Sequence, residues 1–256
     1  MSNYVNLLNN LEKLKLNKFR ENLDNHINLI NDGKKDIVES LYELTNQEIE
    51  FKDSKAITSL VQMAGFPFLK KFDDFDFSFQ PSINKEKVLE FKNLRFIENK
   101  ENILLIGSPG VGKTHLATSI GIEAARNRKM TYFISCHDLI TNLKKFKSEN
   151  RLMDKLKVYS KYSVLIIDEL GYLPIDPDGA NLLFQLISKR YEKHSTIITS
   201  NINFGKWGEI FGDNMIANAI LDRLVHHSHI FNITGQSYRL KDKINYIDKE
   251  DEKISA

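Results

Sequence analysis

The sequence predicts an α/β fold with a five-stranded parallel sheet between helices, preceded by a small helical N-terminal domain. Three observations carry this. From residue 83 onward short apolar runs alternate with helical patterns, a glycine-rich stretch follows the first run, and an acidic pair ends the third. The runs are residues 102–106, TYFIS at 131–135, SVLIID at 163–168, STIITS at 195–200 and HIFNI at 229–233. Strands that are apolar along their whole length are covered on both faces, which is the signature of a parallel sheet. Helices are expected over 84–98, behind the glycine-rich stretch, between the second and third strands, and over 179–193 and 214–225. The domain plan is a helical unit over 1–66, a connector over 67–82, a core over 83–240 and a charged tail over 241–256.

In the N-terminal unit, Leu16, Phe19, Leu23, Ile27 and Ile30 step by three or four and paint one helical face, with Gly33 as a stop. Asp36 with Glu39 reads as a capping box for a second helix carrying Ile37, Leu41 and Leu44. A third helix would carry Ile57, Leu60, Val61 and Ala64 before Gly65 and Pro67. The connector FPFLKKFDDFDFSFQP alternates Phe75, Phe77 and Phe79 with polar residues, so an extended segment with one apolar edge is expected. It cannot fold alone. It is either packing material between domains or a contributor near a nucleotide-base pocket.

The stretch Gly107-Ser108-Pro109-Gly110-Val111-Gly112-Lys113-Thr114 has the spacing G-x-x-x-x-G-K-T. Glycines let successive backbone N–H groups converge on a polyphosphate, and the helix that follows adds its positive end. Lys113 would reach the terminal phosphates and Thr114 would hold Mg²⁺; His115 follows directly. At the end of the third strand, Asp168 would position Mg²⁺ and Glu169 would orient or deprotonate an attacking water. An adjacent glutamate argues for hydrolysis over small-molecule phosphorylation. The fourth strand leads into Asn201, which is either a γ-phosphate or water sensor or a turn residue. Arg223 would stabilise a transferring phosphoryl group from a neighbouring subunit, or else pair locally with Asp222 or a helix-end carbonyl. The GTP-specific [NT]-K-x-D pattern is absent, which favours ATP.

Composition bounds the rest. A net charge of +2 does not mark a nucleic-acid binder, so any basic surface must be local. Such a surface is offered by residues 141–161, where Lys144, Lys145, Lys147, Arg151, Lys155, Lys157 and Lys161 face only Glu149 and Asp154. This is a DNA-phosphate contact or the solvated face of an amphipathic helix built on Leu143, Phe146 and Leu156. His226, His227 and His229 do not share a helical face, which disfavours a metal site. The single cysteine, Cys136, excludes an internal disulfide and fits a reducing, cytoplasmic setting. No apolar run is long enough to span a bilayer.

With the motifs in this order, residues 7–240 closely resemble the IstB-like helper ATPases of insertion sequences, relatives of the helicase loader DnaC within the AAA+ group. The resemblance lies in GSPGVGKTHLA, LIIDELGYLP, GANLLFQLISKRYE, STIITSNINFGKW and AILDRLVHHSHIFNITGQSYRL as well as the connector. It implies an AAA+ ATPase that uses ATP and Mg²⁺, assembles as a homo-oligomer on duplex DNA, deforms the target and stimulates a partner transposase. It also implies catalytic roles for Lys113, Thr114, Asp168, Glu169 and Asn201, an arginine supplied in trans by Arg223, and a second-sensor role for Arg239. The competing expectation is a helicase loader that prefers single-stranded DNA.

Overall fold

A computed structural model describes residues 2–241 of the 256-residue chain. The expected charged tail lies outside the described residues except for Lys241. Two compact units divide after Ser59, inside a helix, rather than at residue 66.

The first unit contains α1 (Asn3–Lys13), α2 (Asn17–Asn31) and most of α3 (Ile37–Met63) around Leu11, Leu23 and Leu44. Where two helices were expected, α3 is continuous, because residues 45–56 contain neither glycine nor proline to stop it. Its buried face is Ser40, Leu44 and Glu48, one helical turn apart, and Ile37 and Leu41 are exposed. Glu48 explains the difference. Its carboxylate accepts the N–H groups of Lys18 and Phe19 at 2.7 and 3.1 Å, capping an α2 start that has no side-chain cap of its own.

In the second unit, β1 (Asn102–Gly107), β2 (Thr131–Ser135), β3 (Val164–Leu170), β4 (Ser195–Ser200) and β5 (Ser228–Ile233) form one parallel sheet in the order β2-β3-β4-β1-β5. Side chains alternate between two apolar layers. Ile103, Leu105, Val164 and Ile166 join one layer, and Leu104, Leu165 and Ile167 join the other. Each such side chain is fully buried and contributes roughly 2 kcal/mol of hydrophobic stabilisation, so both faces need a covering of helices.

The expected helix over 84–98 is instead α4 (Lys85–Leu89), a 3₁₀ turn (Glu90–Asn93) and α5 (Arg95–Glu98). Leu94 adopts φ +59° at the break, and burial of Phe91, Leu94 and Phe96 overrides helical continuity. After β1 come α6 (Lys113–Arg126) and β2, then α7 (Cys136–Ser148) and α8 (Leu152–Lys161), which are separated at Asn150 with φ +56°. The helix expected over 179–193 is α9 (Pro177–Arg190), with Asp176 as its N-cap. A short α10 (Trp207–Phe211) precedes α11 (Asn214–Val225) and buries Trp207 and Phe211 completely.

The connector is not extended. Asp74 accepts the Lys71 N–H and closes a 3₁₀ turn over Phe72–Asp74, while the Asp76 carboxylate accepts from the Ser78 and Phe79 N–H groups. Phe72 and Phe75 therefore enter the core, and Phe77 and Phe79 are half-buried.

Arg190 is 1% exposed and ties three segments together. Its guanidinium donates to the carbonyls of Tyr159, Tyr162 and Ser195 at 2.8, 2.9 and 2.5 Å and to Thr196 Oγ1 at 3.0 Å. Burial pushes its pKa down to about 9, so it keeps its charge at neutral pH. Arg190→Ala strands these carbonyls and leaves a cavity, and is expected to destabilise the fold by about 3 kcal/mol, read as a lower urea midpoint at unchanged slope.

Candidate nucleotide site

The glycine-rich stretch leaves β1 at Gly107 and enters α6 at Gly112, as its spacing requires. Gly112 is the α6 N-cap with φ +99° and offers no side-chain acceptor, so the first-turn N–H groups stay directed at the loop's concavity. Neighbours also enforce small residues here. A Cβ on Gly112 would lie 2.5 Å from the Phe75 ring, and one on Gly110 (φ +82°) would lie 2.0 Å from Ser237 Oγ. Lys113 Nζ donates to the carbonyls of Gly107 and Ser108 at 2.7 and 2.8 Å. Burial lowers the pKa of that ammonium, and the charge of Arg239 lowers it further against the attraction of Asp168.

Because β4 lies between β1 and β3, the ends of these three strands bring Lys113, Asp168 and Asn201 to one edge of the sheet. Thr114 Oγ1 donates to Asp168 at 3.0 Å, so the two expected Mg²⁺ residues are already in contact. Asp168 is 6% exposed. Burial raises its pKa, opposed by hydrogen bonds from Thr199 and Thr114 and by the Lys113 charge. Glu169 is exposed, and Asn201 Oδ1 is buried with no hydrogen-bond partner.

Lys113, Thr114, Glu169 and Asn201 line a cleft of about 370 Å³, within the range of small-molecule sites, with Asp168 behind Thr114. Its other wall comes from residues that the motif spacing did not identify. Phe68, Phe75, Gln80 and Tyr172 line it, as do Tyr238 and the expected Arg239. His115 Nε2 lies 3.0 Å from the Lys71 carbonyl, and its ring meets Phe75 edge-on at 5.3 Å, which fastens the connector to α6. Gln80 Nε2 donates to the Gln236 carbonyl at 2.8 Å, and its buried Oε1 has no partner. A Phe-rich connector is a visible signal for this wall, but a lone Gln or Tyr is not. The cradle of small residues and the uncapped helix start fit an anionic ligand, whereas the unpartnered Asn201 and Gln80 carbonyl oxygens call for hydrogen-bond donors such as a water or an amino group. Thr114 and Asp168 are the hard oxygen donors that suit Mg²⁺.

Other expected residues lie elsewhere. Arg223 does not line the cleft; it donates to the Ala219 carbonyl at 2.8 Å and stacks 4.8 Å over Phe184. In the basic run, Lys144 pairs with Asp176 at 2.6 Å and Lys147 with Asp178, tying α7 to the start of α9. Arg151 stacks on Phe146, Lys155 on both Phe146 and Tyr159, and Lys145 and Lys157 are exposed. Lys144 and Lys147 are therefore balanced by aspartates at the start of α9, and Arg151 approaches Glu149 at 3.7 Å. His229 bonds Glu101, whereas His226 and His227 approach Glu192 at 4.0 and 3.8 Å, with His226 Nδ1 already taken by the Tyr191 hydroxyl. This exposed trio is the one His/Cys/Asp/Glu grouping of metal-binding size among the described residues. No helix among the described residues is long and apolar enough to cross a membrane.

A phosphate-binding loop at the head of a central strand, an acidic pair on the strand beyond β4 and a polar strand end between them define an ATP-binding protein of the AAA+ class. The fold agrees: the DnaC helicase loader superposes with a TM-score of 0.52 over 64% of this chain and 96% of that one, at 24% identity. More specifically, the chain belongs to the family of IstB-like ATP binding proteins, which matches residues 9–245. It is 55% identical over 94% of its length to the IS232 putative ATP-binding protein of Bacillus thuringiensis subsp. berliner, covering 96% of that protein. It is also 50% identical to the IS5376 putative ATP-binding protein of Geobacillus stearothermophilus, over 80% of this chain and 82% of that one.

Gly112→Ala is expected to abolish ATP binding, because a Cβ there is strained at positive φ and pushes into Phe75. Fluorescent-ATP titration with circular dichroism as a folding control checks this. His115 predicts a pH effect. Burial lowers its pKa, so the unfolded chain binds the proton more readily and its stabilising contribution falls as pH drops below about 6.5. Thermal melts between pH 7.5 and 5.5 should show a smaller loss for His115→Gln than for the parent.

Proposed function

We propose that the protein is a Mg²⁺-dependent ATPase that assembles on duplex DNA as a homo-oligomer, deforms or selects the target, and stimulates the transposase of its insertion sequence. One observation supports this above the rest: Lys113, Thr114, Glu169, Asn201 and Arg239 border one cleft, with Asp168 held against Thr114. They belong to a chain whose relatives carry insertion-sequence names.

In the proposed reaction, Lys113 and the α6 N-terminus bind the β- and γ-phosphates. Thr114 and Asp168 would hold Mg²⁺, which when bound supplies charge neutralisation on the phosphate oxygens. Glu169 accepts the proton of the attacking water, and Asn201 orients that water. The connector and the segment around Tyr238 enclose the base. The absence of Arg223 from the lining of its own cleft supports delivery to a neighbour's cleft, which makes hydrolysis depend on assembly. Non-specific contact with DNA phosphates is assigned to Lys145, Arg151, Lys155 and Lys157, with Lys144 and Lys147 tied to α9.

Glu169→Gln should trap a DNA-bound assembly in Mg-ATP, and Lys113→Ala should not form one. Fluorescence anisotropy with labelled duplex and single-stranded DNA of equal length, with and without Mg-ATP, checks both. Failure of Glu169→Gln to bind duplex at low salt would reject the proposal, and single-strand preference would favour a helicase-loading role. Arg223→Ala should lower ATP turnover by about a hundredfold or more while leaving ATP affinity near the parent value. Activity regained on mixing with Glu169→Gln protein, which assembles and keeps Arg223, would identify the arginine as acting in trans.

A further inference from the structure

The pairing of β3 with β4 slips at the acidic pair. Ile167 pairs with Ile198, but Leu170 pairs with Ser200, so β3 carries one residue more than β4. This is a β-bulge, and it coincides with Glu169 at φ +60°, a left-handed conformation that a non-glycine residue adopts at a cost. A bulge also removes ladder partners from the backbone. Two side chains of β4 replace them. Thr199 Oγ1 accepts the Glu169 N–H at 2.9 Å, and Ser200 Oγ donates to the Leu170 carbonyl at 2.7 Å.

Thr199 also uses its proton. The same hydroxyl donates to Asp168 Oδ1 at 2.5 Å, so one buried side chain, 1% exposed, binds the carboxylate of one acidic residue and the backbone of the next. Its donor and its acceptor are both engaged inside the protein. Thr199 and Asn201 both line the cleft, but Asn201 Oδ1 has no partner, whereas the Thr199 hydroxyl is spent within the protein.

We propose that Thr199 is a positioning residue for ATP hydrolysis: its hydroxyl fixes the bulge that turns the Glu169 carboxylate toward the cleft while holding Asp168 beside Thr114. The inference rests on the ATPase reading, but its geometric half does not. Valine matches threonine in shape and offers neither the donor nor the acceptor, whereas serine offers both.

Amide hydrogen exchange at Glu169 in the nucleotide-free protein reads the geometry directly. The parent and Thr199→Ser should protect this amide, and Thr199→Val should exchange it at least about tenfold faster. Steady-state kinetics at saturating Mg²⁺ read the consequence. Thr199→Val should lose at least about tenfold in kcat with ATP affinity held within about threefold, and Thr199→Ser should restore turnover. An unprotected Glu169 amide in the parent overturns the inference even if Thr199→Val does not fold. Parent-like exchange and turnover in a folded Thr199→Val protein also overturn it. If the parent itself hydrolyses no ATP with DNA present, the ATPase reading fails while the exchange measurement still decides the geometry.

Discussion

A single buried carboxylate organises this molecule. Asp168 sits at 6% exposure at the end of β3, where burial disfavours its charged form. The compensation comes from separate parts of the chain: Thr114 at the start of α6, Thr199 on β4 and the charge of Lys113. Each donor satisfies the carboxylate only if its own element is correctly placed. The network thereby fixes the phosphate-binding loop against two strand ends before any ligand arrives. With the strand ends preset, Lys113, whose ammonium donates to the Gly107 and Ser108 carbonyls, is a group that must change partners for a phosphate to be held.

The second constraint is the lacing of two segments far apart in sequence over that loop. Ser82 Oγ donates to the Thr234 carbonyl at 2.7 Å, Gln80 reaches the Gln236 carbonyl, and Lys241 pairs with Asp76 at 2.8 Å. The hydrogen bond from Lys241, followed by that from Ser78, holds the Asp76 carboxyl well below the usual carboxylate range. The Tyr238 N–H donates to the Gly110 carbonyl at 3.0 Å, so the loop is gripped from the β5 side as well. This explains why β5 must run beside β1. Placed there, it delivers the segment beginning at Thr234 to the mouth of the loop, opposite Phe75.

The residues whose chemistry is written into local spacing were legible without coordinates. The five strands, the loop from Gly107 to Thr114, the acidic pair and α11 sit where pattern and composition put them. What was not legible depends on contacts between distant positions. Glu48 on α3 caps α2 and so shifts the buried face of its own helix away from Ile37 and Leu41. Asp74 and Asp76 bend a connector whose alternating phenylalanines read as extended, because side-chain acceptors for backbone N–H groups compete with the strand pattern. Thr199 carries no motif of its own; its importance comes from a register slip that only pairing reveals.

The same distinction governs the basic run and Arg223. Counting charges along residues 141–161 overstates the surface available to a polyanion, because Lys144 and Lys147 face Asp176 and Asp178 at the start of α9. Those aspartates already favour that position, since the first turn of a helix attracts negative charge, so the pairs join α7 to α9 as part of the fold. Lys145 and Lys157 remain exposed. Arg223 presents the opposite case. Its guanidinium lies on an aromatic ring, 4.8 Å over Phe184, and does not line the cleft of its own chain. A stacked arginine is held in orientation yet leaves much of its fork of N–H donors uncommitted, having given one to Ala219. The donors that remain are therefore held in a fixed direction by the ring, which local sequence spacing does not disclose.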